Sequence, residues 1–168
     1  MIDALAAAVL LGGLSTLGDF VWAAMRLHNR VAYGMIHGAV ICTTIGSLVG
    51  ARVKQLFLGA LIGPIIGALA AGGFYALAPV MGWSAMFLMW MLLWICFGLL
   101  EAVLGGGKSA SAAIFQGVLA AVLSGAAFYA ISGIWTNPSP HGPNYLRNFA
   151  SWTFAFFPGF AALFWTKR

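Results

Sequence analysis

Polar side chains interrupt this chain at only a few points, and six apolar stretches run between them, each long enough to cross a bilayer. The stretches lie at about 2–25, 33–51, 56–80, 83–104, 110–135 and 149–166. In lipid, only helices and closed barrels satisfy every backbone N–H and C=O. Barrel strands alternate apolar and polar residues over about ten positions. These runs are longer and apolar on all sides, so the pattern predicts an all-α fold: a polytopic membrane bundle of six transmembrane helices. Apolar spans fill nearly the whole chain, which predicts a single transmembrane domain over residues 1–168.

Three of the spans carry small residues spaced four apart. The second has Gly34, Gly38, Cys42, Gly46 and Gly50; the third has Gly59, Gly63 and Gly67 with Pro64 beside them. The fifth has Gly117, Ala121, Gly125 and, after Tyr129, Gly133. That spacing puts the small side chains in one stripe, where another helix backbone can approach closely. Spans two, three and five are therefore expected to form the packed scaffold. Spans one, four and six read as lacking such ladders and are the expected cavity wall. Small faces left over after packing within the chain predict a homo-oligomer.

Composition sharpens the membrane reading. Of 168 residues, 62% are hydrophobic and 7% charged, too few charges to cover a water-facing surface. The first span lacks a basic start, is long for a signal sequence and carries Asp19, so it reads as a retained helix. The net charge of +5 sits in connections and at the C-terminus with no basic run, which argues against nucleic acid and for lipid headgroups. Six spans put both termini on one side. Arg52, Lys54, Lys108, Lys167 and Arg168 share that side, against Arg26, Arg30 and Arg147 on the other, so both termini are expected to be cytoplasmic. Trp83, Trp135 and Trp165 fall at span ends, the depth that indole rings prefer.

The connections are short apart from residues 135–148, which hold three prolines and His141. Gly105-Gly106-Gly107-Lys108-Ser109 lacks the spacing and preceding strand of a phosphate-binding loop and reads as a flexible turn. Spans one to three and four to six share features in the same order: Asp19 with Glu101, His37 with Gln116, and Gly63-Pro64 with Pro158-Gly159. Three-span units insert in opposite orientations, so an inverted repeat is one reading of that order.

Ionisable groups at membrane depth are costly and are candidates for function. Asp19 lies about 9 Å inside span one at ~1.5 Å per residue, and His37 lies at similar depth from the same surface. They serve either a ligand headgroup or a proton-linked site; alternatively Asp19 pairs with Arg26 as an interface anchor. Glu101, near the other end of span four, is placed to meet Gln116 or Lys108. Pro64 and Pro158 each remove a helix hydrogen bond and can open a helix around a cavity. Trp90, Trp94, Met86, Met89 and Met91 read as packing or lipid-facing surface. Cys42 and Cys96 form no CxxC pair, and clustered histidines and HExxH are missing. The chain is read as a non-enzyme without metal or cofactor.

The order Gly133-Ile134-Trp135, Ser139-Pro140, Tyr145-Leu146-Arg147, Trp152, Phe156-Phe157 and Gly159, with the six-span plan, resembles the insulin-induced gene (Insig) family. The resemblance covers about forty residues by motif and the rest by span order. It implies a six-helix bundle with cytoplasmic termini, a cavity that accommodates a diacylglycerol- or sterol-like lipid, and a place among homologues of sterol-homeostasis proteins. It also implies a partner membrane protein met near Glu101, although residues 102–107 replace the basic stretch that follows in the family. The compact plan is similar to a prokaryotic inner (plasma) membrane relative rather than one of the endoplasmic reticulum. The ligand-site residues expected on this reading are Asp19, His37 and Arg147 at the headgroup end, with Gly63, Pro64 and Pro158 shaping the cavity. A small-solute carrier, proton-coupled through Asp19 or Glu101, is the first alternative. A structural subunit of a membrane complex is the second.

Overall fold

A computed structural model describes residues 1–25, 28–82, 84–105, 107, 109–136 and 144–165, with backbone alone for 132–136. It contains α1 (Ile2–Met25), α2 (Arg30–Arg52), α3 (Leu56–Met81), α4 (Ser84–Val103), α5 (Ala110–Thr136) and α6 (Tyr145–Leu163), and no strand among the described residues. The first five are long and apolar enough to cross a membrane. In α6, Arg147, Asn148 and Ser151 lower the apolarity of the first two turns. Large apolar side chains from Leu5 to Phe154 cover the outside of the bundle, a surface that lipid solvates and water does not. The chain is an integral membrane protein with a helical bundle fold.

Two helices start earlier than the apolar pattern predicts because asparagines cap them. The Asn29 side chain accepts from the Ala32 N–H at 3.0 Å, and Asn144 accepts from the Arg147 N–H at 3.0 Å. Between α2 and α3, Lys54 takes the left-handed conformation, at φ 60°. Its N–H donates to the Ala51 carbonyl and the Gln55 N–H to the Gly50 carbonyl, closing the last turn of α2.

The helices form a circuit in which α1 packs on α6, α6 on α5, α5 on α4, α4 on α3 and α3 on α2. The α2–α3 contact is the most extensive, while α1 and α2 touch only sparsely where the circuit closes. Opposed ladders make the α2–α3 contact. A Cβ on Gly59 would lie 2.0 Å from the Gly46 carbonyl oxygen, and one on Gly46 would lie 2.2 Å from the Gly59 carbonyl oxygen. Gly63 meets the Cys42 carbonyl, Gly38 and Gly67 meet each other, and Gly50 lies against Gln55 and Gly59. On the far side of the bundle Gly117 rests on the Ile95 backbone, and Gly125 lies under the Phe87 ring.

Spans one and six also carry ladders, contrary to expectation, built from alanine and serine with a single glycine each. Ala4, Ala8 and Gly12 form the buried stripe of α1, and Ser151, Ala155 and Gly159 that of α6. A Cβ on Gly12 would strike the Thr153 hydroxyl oxygen at 2.2 Å, and one on Gly159 the Trp94 ring at 2.4 Å. Neither Pro64 nor Pro158 opens its helix: α3 and α6 run continuously through them. Arg26, Trp83, Lys108, Ser139-Pro140, His141, Lys167, Arg168 and the Trp135 side chain lie outside the described residues.

Because backbone contact leaves no room for side chains, Gly59→Val is expected to force α2 and α3 apart and lower stability by about 1–3 kcal/mol. A Cβ on Gly13 meets nothing within 4 Å, so Gly13→Ala is expected to be neutral or stabilising. Thermal unfolding of both variants in the same detergent checks the contrast; equal midpoints would show that the ladder does not hold the pair together.

Candidate functional site

At the end of the bundle away from the termini, the circuit forms a partly open cavity of about 350 Å³ lined by residues from all six helices. Asp19 reaches it from α1, Tyr33 and His37 from α2, Tyr75 from α3, Trp90 from α4, Phe128 from α5 and Trp152 from α6. Tyr33 and His37 lie one turn apart on one face of α2 and are stacked, with centroids 5.7 Å apart. Across the sparse α1–α2 seam the Tyr33 hydroxyl donates to the Gly18 carbonyl. The His37 ring occupies the space a Cβ on Gly18 would need, 2.1 Å from Cε1. Gly18 thus lets two aromatic side chains bridge helices that otherwise barely meet.

Asp19 is held from α6. Its Oδ2 accepts from Trp152 Nε1 at 3.0 Å and from Asn148 Nδ2 at 3.4 Å. Asn148 and Trp152 are four residues apart, so both donors project from one face of α6. Arg26, the alternative partner, lies outside the described residues. The wall behind Trp152 is aromatic: Trp90 stacks on Phe128 with centroids 4.9 Å apart, and Trp152 stacks on Phe156 at 5.9 Å. Trp90 Nε1 donates to Ser124 Oγ at 2.9 Å, and Ser124 Oγ donates to the Ala155 carbonyl at 2.6 Å. That buried relay ties α4, α5 and α6 together and fixes the Trp90 ring.

Of the six residues expected to bind ligand, Asp19 and His37 line the cavity together. Gly63 is buried against α2, and Pro64 and Pro158 lie elsewhere on their helices. Arg147 is exposed near the start of α6, outside the lining. Met86, Met89 and Trp90, read as packing or lipid-facing surface, belong to the cavity wall, as do Gly34, Gly38 and Gly67 of the ladders. Sequence reasoning missed Gly18, Tyr33, Tyr75 and the Asn148/Trp152 donor pair. The four-residue spacings Tyr33/His37 and Asn148/Trp152 were the available signals.

Glu101 sits at the opposite end and is 3% exposed. Its Oε1 lies 3.7 Å from Arg52 Nε, and Asp3 Oδ2 lies 3.9 Å from Arg52 Nη1. The Arg52 guanidinium lies 4.3 Å above the Phe164 ring centroid and donates to the Phe164 carbonyl at 3.4 Å. Gln116 Nε2 donates to the Trp165 carbonyl at 2.6 Å. This end therefore straps α1, α2, α4, α5 and the exit of α6 together. Compared with protein-family models, curated proteins and solved structures, the chain matches none.

Removing the Asp19 carboxylate leaves two ring and amide donors without an acceptor, so Asp19→Ala is expected to destabilise by about 1–3 kcal/mol. Asp19→Asn retains a carbonyl oxygen in the same place and is expected to stay close to wild type. Denaturant titration in detergent distinguishes the two; equal losses would mean that the α6 donors do not depend on this acceptor.

Proposed function

We propose that this protein binds one lipid-like amphiphile in the intramembrane cavity, its apolar body among the aromatic and methionine side chains and its head at Asp19 and His37. The observation that carries this reading is the cavity itself: apolar walls with a few convergent polar groups at one end, within the roughly 300–1,000 Å³ range of small-molecule sites. The sparse α1–α2 seam lies beside it and offers a lateral way in from the bilayer. Diacylglycerol- and sterol-like lipids are the ligands that the Insig resemblance implies, with binding rather than catalysis as the activity.

The carrier reading has one observation in its favour, a carboxylate and an imidazole in the same membrane cavity. The other half of the bundle favours binding over passage. There Leu11, Ile45, Val49, Trp94, Phe97, Phe160 and Leu163 are fully buried and fill the interior.

Protein extracted in mild detergent is expected to carry one lipid per chain in native mass spectrometry. Ala70 lines the cavity, so Ala70→Phe is expected to fill it and remove most of that adduct while the fold persists by circular dichroism. A wild-type chain that is lipid-free and cannot be loaded with dioctanoylglycerol, cholesterol or a single-chain amphiphile would end this reading.

A further inference from the structure

Among the described residues, Asp19 is the sole carboxylate in the cavity lining, and no Lys or Arg lies there with it. Both α6 donors converge on Oδ2. Oδ1 therefore has no hydrogen-bond partner among the described residues. A carboxylate about six residues inside a membrane helix is costly unless a positive charge or further donors meet it.

The rest of the lining is rich in aromatic rings. Trp22, Tyr33, Tyr75, Trp90 and Trp152 all contribute to it, and Trp22 meets Tyr33 edge-on at 4.3 Å. Their polar edges are largely occupied: Tyr33 donates to Gly18, Trp90 to Ser124 and Trp152 to Asp19. A pocket with no Lys or Arg among its described lining residues, but with a carboxylate oxygen left without a donor among aromatic side chains, disfavours phosphate and suits an ammonium ion. Rings around a cation within about 6 Å, with a counter-charge, form the arrangement that recognises alkylammonium groups.

Building on the lipid-binding reading, we infer that the cavity selects an amphiphile whose head is a single ammonium group. Asp19 Oδ1 supplies the counter-charge and the Trp and Tyr rings supply the cage. His37 and Tyr75 border the same space and remain available to polar substituents on the head.

The test uses two amphiphiles with the same sixteen-carbon tail, hexadecyltrimethylammonium and hexadecanol, titrated below their micellar concentrations into purified protein and followed by native mass spectrometry. The wild-type chain is expected to bind the cation about tenfold or more tightly than the alcohol, the scale of a desolvated cation–π contact with a counter-charge. Asp19→Asn keeps an acceptor for Trp152 and Asn148 but removes the charge, so the preference for the cation over the alcohol should fall to near parity. Equal affinities in the wild type, or a preference that survives in Asp19→Asn, would overturn the ammonium assignment and leave the lipid-binding reading standing. Binding of neither amphiphile, in a chain that also takes up no neutral lipid, would remove both. The wild-type comparison needs no variant, so it decides even if Asp19→Asn folds poorly.

Discussion

Backbone-to-backbone contact between α2 and α3 is the constraint on which the rest of the bundle depends. In lipid, apolar side chains gain little by leaving their surroundings for one another, so helices adhere through close packing. Gly46 and Gly59 approach until each sits against the other's carbonyl, near enough for paired Cα–H···O contacts. While α2 packs closely on α3, it meets α1 only sparsely, and the seam between them is bridged by aromatic rings instead of ladders. The cavity occupies the space that this one-sided attachment leaves.

The circuit has a regularity that makes the seam more telling. Advancing each helix by three places turns the α1–α6 contact into α4–α3, α5–α6 into α2–α3 and α4–α5 into α1–α2. All six are neighbour pairs in the circuit, as in any closed ring of six helices in chain order. The α4–α5 contact is closed by Gly98 against the Ala113 carbonyl and Gly117 against the Ile95 backbone. Its counterpart α1–α2 is sparse. The two features that the sequence places in parallel, Asp19 and Glu101, then fall at opposite ends with opposite surroundings. Glu101 faces Arg52 near the termini, and Asp19 faces neutral donors at the far end.

Much of this was legible in the chain. Six uniformly apolar runs leave helices as the solution, and the glycine ladders of spans two and three identify the faces that meet. Asp19 and His37 were placed at one depth by counting residues from the same surface, and the structure puts both in one cavity. What the sequence concealed depends on order around the circuit, which hydrophobicity does not encode. That α6 stands beside α1 decides that Asn148 and Trp152 reach Asp19, and no local signal in residues 145–163 says so. The α1 and α6 ladders were hidden because alanine and serine are common in any membrane helix. Only their burial distinguishes Ala4, Ala8 and Ala155 from exposed alanines such as Ala112 and Ala126.

The contrast between the two acidic sites gives the functional reading its physical basis. At the end near the termini a buried carboxylate has a guanidinium, and that guanidinium has an aromatic face and a backbone carbonyl as well. Such a set holds helix ends together, with the carboxylate already matched by a guanidinium. At the other end the carboxylate has two neutral donors on one oxygen and lines a cavity rich in aromatic side chains. The same residue chemistry is met by a guanidinium at the buried Glu101 and by neutral donors alone at the half-buried Asp19. An internal fixed charge for Asp19 would have needed only one Lys or Arg on α2, α3 or α4 at the height of His37. The chain instead places Tyr33, His37 and Tyr75 there, so the missing charge is one that a bound molecule can bring.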